Sequence, residues 1–398
     1  MGQPKSPLRP SATRKDVLLG GAFAVLLAVG VGWGVTRASS TPHAPDAPHA
    51  VQLDFQPDEA ELRALEELRA RLSPTERRFP IRDARKKDNA KLFTYMAATS
   101  TESTVVEAAL EAMRTSYSPS STKKQTPDAD VDRVLLKYLA SDDERLLGAA
   151  LAAARIPLMG APSAELLGRI RELAGSESRP PAVRYAAVEV LNLVPPERRT
   201  AEFLATLGAL LSSSEAYLVS AALDALGLTG TALGTYPERA REVSARVVAL
   251  TEHPDPGVRG RALIQLSALD AEAEASKRAL AALADPHPYV RSAACAALAT
   301  VGRRSAIHHI VEQVGDKQPA VYELSVPSIL GEANSLVHVV PGRASVSESA
   351  LYALGELSGG ELPYRLGARH TTAQAWDESI AAARAWYEKV APSIPREP

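Results

Sequence analysis

The sequence predicts an all-α fold, namely an α-solenoid of about seven helical hairpins that follows one transmembrane helix and a proline-rich linker. One helical pattern recurs along the chain, and internal repeats of this kind are typical of solenoids. Aromatic residues make up only 5% of the chain while alanine is abundant, which favours closely stacked helices. A stretch of 19 residues near the N-terminus carries no charge.

The overall charge argues against several classes of function. The formal net charge is −2, and Lys and Arg are spread along the 398 residues, so the basic stripe of a nucleic-acid-binding protein is missing. Cys295 is the single cysteine, which excludes an intramolecular disulfide, a Cys-rich zinc site and a CxxC redox pair. We therefore expect no nucleic-acid partner and no metal site built on cysteines.

Residues 17–35 have the length and composition of a membrane anchor. A helix of this length measures roughly 28 Å, about the thickness of the hydrocarbon core of a bilayer. Residues 1–16 form a basic tail, whereas acidic residues follow the segment, so the positive-inside rule predicts a cytoplasmic N-terminus. The rest of the chain is then expected beyond the inner membrane, in the periplasm of a Gram-negative bacterium.

A cleaved signal peptide, followed by secretion, is the alternative for the same segment. The apolar core of a signal peptide is usually about 7–15 residues long and ends at a small-x-small cleavage site. The segment here is longer, and Thr36-Arg37-Ala38 fits such a site poorly. We therefore prefer an uncleaved single-pass anchor.

The chain after the anchor changes from an extended linker to helix. Residues 36–57 are rich in proline and small polar residues, a composition typical of extended spacers. Residues 58–100 are predicted to form N-terminal capping helices, because Leu62, Leu65 and Leu68 form one apolar stripe among Glu and Arg. A short homodimeric coil is the alternative, but fewer than the ~3–4 heptads normally needed are present.

A repeat array is predicted over residues 101–362. The first six copies start 32 to 41 residues apart, within the range of two-helix solenoid repeats. In the copy that starts at Val183, apolar and small residues fall at i, i+3, i+4, i+7 and i+8, which is one face of a helix. Amphipathic segments between the copies complete each hairpin. The copies start at Val105, Leu146, Val183, Leu218, Val258, Val290 and Val346.

Two copies, DPGVRGRAL and DPHPYVRSAACAAL, resemble HEAT repeats, especially the short variety named after the phycobilisome lyases. The resemblance implies that the turn aspartate and the arginine bond and join neighbouring units, here Asp255 with Arg259 and Asp285 with Arg291. Arg184 keeps the arginine and follows two prolines instead of the aspartate. We expect these five residues to be structural contacts between repeats.

The repeat pattern breaks after Val290, since the next clear copy starts 56 residues later. We expect an insertion near residues 325–345 or a degenerate repeat. Long excursions on a solenoid often carry binding, so this loop is the candidate partner-binding site. A decayed repeat with a disordered tip is the alternative. The candidate binding residues are Glu332, Asn334, His338 and Arg343.

Residues 363–398 are predicted to form a C-terminal capping helix. The segment resembles the glycine-rich turn and Trp-bearing last helix that close many bacterial HEAT arrays. Trp376, Ile380, Ala383 and Tyr387 follow helical spacing. We interpret them as an end cap and not as a ligand cage.

No catalytic, cofactor-binding or metal-binding motif stands out in the sequence. HExxH, GxSxG, a Walker loop and a GxGxxG after a strand are missing. Cys295 occupies a slot that is Leu or Val in the other copies, so we expect a buried small hydrophobe. His308 and His309 are adjacent and therefore point to different faces of a helix.

The sequence favours a non-enzymatic, membrane-tethered scaffold that binds protein partners at the cell envelope. The resemblance covers about residues 100–390 and indicates architecture, not activity. A lyase or chaperone-like enzyme acting on a bound protein is the alternative that the lyase-type resemblance implies. Nucleic-acid binding is less favoured, because it would require a basic concave stripe.

Overall fold

The computed structural model describes most of the chain after the linker. None of the helices in the described part is both long enough and apolar enough to cross a membrane. The predicted tail and anchor, and residues 36–50 of the predicted linker, lie outside the described residues. The described ranges are 51–71, 90–116, 128–159, 162–226, 235–269, 272–327, 329, 334–339, 344–362 and 373–396.

Seven consecutive helical hairpins form the body of the described chain. Their first helices are α2 (Ala90–Thr99), α4 (Ala129–Leu139), α6 (Ala164–Gly175), α8 (Ala201–Leu210), α10 (Pro237–Leu250), α12 (Glu272–Ala282) and the short α14 (Ile307–Ile310). Their second helices are α3 (Ser103–Ser116), α5 (Glu144–Met159), α7 (Pro181–Leu191), α9 (Ala216–Leu226), α11 (Pro256–Ala268), α13 (Pro288–Val301) and α15 (Val346–Leu357). Helix α1 (Glu59–Arg71) precedes them and α16 (Ala373–Val390) follows. The predicted solenoid of about seven hairpins is confirmed, and α2, placed by the sequence among the capping helices, pairs with α3.

Side-chain caps and prolines start many of these helices. Asp255 precedes Pro256 and accepts a hydrogen bond from the Val258 N–H at 3.0 Å. Ser163 caps α6 in the same way, accepting from the Leu166 N–H. Such residues satisfy N–H groups that have no partner within the helix, so the hairpin turns are encoded locally.

The second helices form the inner layer of a curved array. Neighbouring second helices contact each other more extensively than neighbouring first helices do, so the array bends toward them and they line its concave side. Close approach is possible because each copy has an alanine at its fifth position. These alanines are fully buried: Ala109, Ala150, Ala187, Ala222, Ala262, Ala294 and Ala350.

Two clusters of buried apolar residues form the core. One extends from Leu53 to Ala275, and the other runs from Leu263 to Ile394. Helix α11 contributes Val258 to the first cluster and Leu263 to the second. The junction between the fifth and sixth hairpins is therefore where the two cores meet.

Basic side chains join the outer helices, a feature that the sequence pattern did not indicate. Lys137 of α4 donates to the Ala98 carbonyl of α2 at 3.1 Å, and Arg169 of α6 donates to the Leu139 carbonyl of α4 at 3.2 Å. Arg246 of α10 donates to the Gly208 carbonyl of α8. The last carbonyls of a helix lack intrahelical partners and carry partial negative charge, so each cation stabilises the preceding helix end.

Both ends of the array are covered by chain segments. The backbone N–H groups of Asp54 and Phe55 each donate to the Asp130 carboxylate at 2.9 Å, and Leu53 is buried. At the other end, α16 buries Ile380 and Ala383 against the second core. Helix α16 therefore places these two residues in the core.

Candidate partner-binding surface

The break in the repeat pattern is an antiparallel β-hairpin. Strand β1 (Val321–Val326) pairs with β2 (Asn334–Val339), with Val321 opposite Val339 and Val326 opposite Asn334. The sequence led us to expect an irregular loop here. The missed signal is the alternation in VYELSV, where Leu324 and Val326 are buried and their neighbours are not, as expected of a half-buried strand.

The hairpin interrupts a repeat between its turn and its second helix. Asp316 accepts a hydrogen bond from the Gln318 N–H at 3.1 Å, just as Asp285 accepts from the His287 N–H at 2.8 Å. At the base of the hairpin, the Ser347 N–H donates to the Asp316 carbonyl at 2.7 Å. The chain therefore leaves the solenoid after a normal turn and returns to begin α15.

The four candidate binding residues belong to this hairpin region. Asn334 and His338 lie in β2, opposite Val326 and Tyr322 respectively. Glu332 and Arg343 lie outside the described residues. Their role in binding stays a prediction.

Strand β1 packs on the inner layer and contacts α9, α11 and α13. The Tyr322 hydroxyl donates to the Asp255 carboxylate at 2.5 Å. The Tyr322 ring lies against Gly257, where a side-chain methyl group would overlap it. His287 meets the same ring edge-on at 5.5 Å between centroids. Burial and the neighbouring Asp255 carboxylate raise the pKa of Tyr322, so the phenol stays protonated as a donor.

Ile329, beyond the end of β1, reaches α5. A Cβ atom at Gly148 would lie 2.7 Å from Ile329 Cγ2, and Ile329 packs against the first core cluster. The hairpin therefore extends along the concave side from the last repeat to the second.

Charged side chains occupy the inner layer beside the hairpin. Arg261 of α11 forms an ion pair with Asp224 of α9. Burial raises the pKa of Glu189 in α7 against the opposing effects of Arg155 and Arg261. Burial and Glu189 likewise raise the pKa of Tyr185. Neighbouring inner helices thus bring acidic and basic side chains close together, and burial favours the neutral form of Glu189 among them.

The inter-repeat arginines bond to a different aspartate from the one that the resemblance implied. Arg259 donates to both carboxylate oxygens of Asp285 at 2.9 Å, and Arg291 donates to Asp316 at 2.8 Å. Each arginine thus bonds to the carboxylate of the following repeat, because the carboxylate of Asp255 caps its own helix and accepts from Tyr322.

These arginines also bond to backbone carbonyls before their own helix. Arg259 donates to the His253 and Pro254 carbonyls at 2.9 Å, and Arg291 donates to the Asp285 carbonyl at 2.8 Å. Arg184 donates to the Ala174 carbonyl at 3.3 Å. Each arginine therefore ties its inner helix to the preceding turn or outer helix.

Cys295 and His308, two residues with potentially reactive side chains, are held within the fold. No group of three or more His, Cys, Asp or Glu in the described ranges is placed to hold a metal ion. Cys295 is fully buried among apolar neighbours. His308 bonds to the Tyr387 hydroxyl of the capping helix at 2.9 Å.

Comparison with known proteins supports the fold. A family model described as HEAT repeats matches residues 243–326, and no curated protein sequence matches the chain. The chain is similar to one in a solved structure in which Kap95p binding induces the switch loops of RanGDP to adopt the GTP-bound conformation. That match has a TM-score of 0.50 and 14% identity, and covers 85% of this chain and 46% of the other.

A chain of the Kap95:Nup1 complex is similar with a TM-score of 0.47 and 13% identity, covering 85% of this chain and 47% of that one. The chain thus spans slightly less than half the length of each of these two solved chains. At this identity the first likeness concerns the fold alone. The chain has a helical solenoid fold of the HEAT-repeat type.

Proposed function

We propose that this chain is a membrane-tethered scaffold that binds protein partners along the concave side of its solenoid. The main supporting observation is the inner layer itself, where closely packed second helices place Asp224 and Arg261 in an ion pair and bring Arg155 close to Glu189. Repeat arrays use such extended concave surfaces for binding, and surface charges of both signs favour selective protein contacts. Proteins with this fold are typically scaffolds, and the partner in this case is a protein of the cell envelope.

The tether is the charge-free segment 17–35. Its length suits a bilayer, and the basic tail before it favours a cytoplasmic N-terminus. The solenoid then lies in the periplasm, with residues 36–50 as a spacer. Because Leu53 and the Asp130 contacts fix residues 51–56 at the first hairpins, the tether begins at that end of the array.

Site-specific photo-crosslinking in the native host tests the binding surface. A photoreactive residue in place of Ala152 on the inner helix α5 should give discrete protein adducts. The matched control replaces Lys277, an exposed residue of the outer helix α12, and should give none. The change Arg155→Glu, one turn along α5, should reduce the adducts formed from position 152. Equal adducts from both positions would refute binding at the inner layer.

Topology needs a separate measurement. A C-terminal proximity label that is active only outside the cytoplasm should mark envelope proteins, and the chain should sediment with membranes. Labelling only by a cytoplasmic version would refute the periplasmic placement. It would also reopen the cytoplasmic and nucleic-acid interpretations.

A further inference from the structure

The β-hairpin lies over the inner helices, and none of its described residues belongs to their two buried clusters. Leu324 and Val326 are only 8% and 3% exposed, yet neither belongs to the two buried clusters formed by the helices. Tyr322 and Ile329 are only partly buried where they pack against those clusters. The hairpin therefore behaves as a body docked on the solenoid and not as part of its core.

The surface beneath Tyr322 has a gap in the shape of an aromatic ring. Tyr217 in α9 and Tyr289 in α13 hold the residue position that Gly257 holds in α11. Tyr322 occupies the space that the missing side chain leaves, 6.2 Å from the Tyr289 ring. The hairpin thus supplies an aromatic side chain to the fifth repeat, whereas the repeats on either side carry one in their own inner helices.

A second gap receives Ile329. Gly148 in α5 holds the position of Tyr185 in α7, and its lack of a side chain leaves room for Ile329. Ile329 follows Tyr322 by seven positions, a reach of roughly 23 Å for extended chain. This reach is comparable to the roughly 24–30 Å across three helix spacings between α11 and α5.

A polar contact makes the gap at Gly257 selective for a phenol. The Asp255 carboxylate accepts the Tyr322 hydroxyl at 2.5 Å and at the same time caps α11. Hydrogen bonds to charged groups are among the stronger ones in proteins. A phenol therefore fits this place better than a plain phenyl ring.

We infer that the strip along the N-terminal turns of α5, α9, α11 and α13 is a docking surface for an extended polypeptide segment, which this chain's own hairpin occupies. The segment that fits carries a tyrosine at Asp255 and Gly257 and a branched aliphatic residue at Gly148. A partner with such a segment binds by replacing the hairpin. This inference rests on the proposed scaffold function and names the chemistry of its partner.

The test uses the full chain with residues 321–343 replaced by a short Gly-Ser link. The probe is a fluorescent synthetic peptide of residues 319–345. We expect saturable binding to the replaced chain, and binding at least about tenfold weaker to the intact chain, because the tethered hairpin competes at high effective concentration. Tyr322→Phe in the peptide should weaken binding by about tenfold or more, since one hydrogen bond to a carboxylate is lost.

Matched glycine variants locate the binding. In the replaced chain, Gly257→Ala should abolish peptide binding because the methyl group fills the ring site. Gly168→Ala is the control, since its added Cβ would have no neighbour closer than 3.9 Å. Equal binding by both variants, or no peptide binding to a replaced chain that melts normally, would overturn the inference. Failure of the replaced chain to fold would overturn it too, because the hairpin would then belong to the core.

Hydrogen exchange on the intact chain gives an independent readout. Gly257→Ala should speed exchange of the amides of residues 321–326 while α11 and α13 keep their protection. Loss of protection in those helices as well, or no change in the strand, would contradict a docked hairpin.

Peptide binding without crosslinked partners would remove the proposed function and leave this docking surface standing. Crosslinked partners without peptide binding would support the scaffold function and refute the docking surface.

Discussion

Breaking the Arg259–Asp285 pair should loosen the junction between the fifth and sixth hairpins. The two side chains are only 16% and 12% exposed and meet through two hydrogen bonds of 2.9 Å. Arg259 also holds two backbone carbonyls. Arg259→Met would leave the Asp285 carboxylate largely buried without its cation, which costs about 3 kcal/mol in comparable pairs.

A double-mutant cycle isolates the pair from these other contacts. Combining Arg259→Met with Asp285→Asn should show a coupling energy of about 1–3 kcal/mol. The control pair is Lys317 and Asp377, which are 57% and 65% exposed and bond at 2.7 Å. Its coupling should be only about 0–1 kcal/mol, because solvent screens exposed pairs.

Urea unfolding followed by tryptophan fluorescence measures both cycles. Trp376 and Trp386 pack against the second core, and Trp33→Phe in every variant removes the remaining tryptophan. Stability in repeat arrays is approximately a sum of repeat and interface terms, so the fluorescence transition should separate from the circular dichroism transition when the junction weakens. Coupling for Arg259 and Asp285 no larger than for the exposed pair would refute the reasoning.

Three further changes test other contacts of the fold. Burial raises the pKa of Glu189, so the folded state binds a proton at this carboxyl more readily than the unfolded state does. The stability of the fold therefore falls as pH rises through the folded-state pKa. Glu189→Gln should stabilise the chain more at pH 7.5 than at pH 5, as measured by thermal melts. Asp130→Ala should release residues 51–56, because two hydrogen bonds to a carboxylate are lost, and the Asp54 and Phe55 amides should exchange about tenfold faster or more; unchanged exchange would show that Leu53 alone holds the segment. Arg199 is 3% exposed and donates to the Val194, Ala225 and Asn192 carbonyls, and burial lowers its pKa to about 10. Arg199→Met should lower the unfolding free energy by about 2–3 kcal/mol, because these carbonyls lose their donor. A thermal melt like that of the parent chain would contradict this.

Periodicity was sufficient to predict the solenoid. A buried alanine at the fifth position of every copy, from Ala109 to Ala350, follows directly from a repeat that stacks the same helix face each time. The turn residues Asp255 and Asp285 were also visible, because capping is local. Their partners were not, since a repeated motif does not reveal which copy of the aspartate its arginine meets.

The hairpin was beyond the reach of helical periodicity. Its strand alternation in VYELSV is short, and a run of six residues is ambiguous by pattern alone. Asp316 likewise escaped notice, because the helix that normally follows such a turn starts only at Val346. The gap in spacing indicated an insertion near residues 325–345 or a degenerate repeat, and it did not indicate the strands that begin at Val321 or their attachment to Asp255.

The sequence by itself determined the local features of this protein: the helices, their caps, the repeat and the closely packed alanine faces. These depend on residues within a few turns of each other, which the order of residues displays. Only the tertiary structure decided which distant residues meet, such as Tyr322 with Asp255 and Ile329 with Gly148. Those contacts join residues that lie far apart in the chain, and they form because β1 and the residues after it pack on the inner helices.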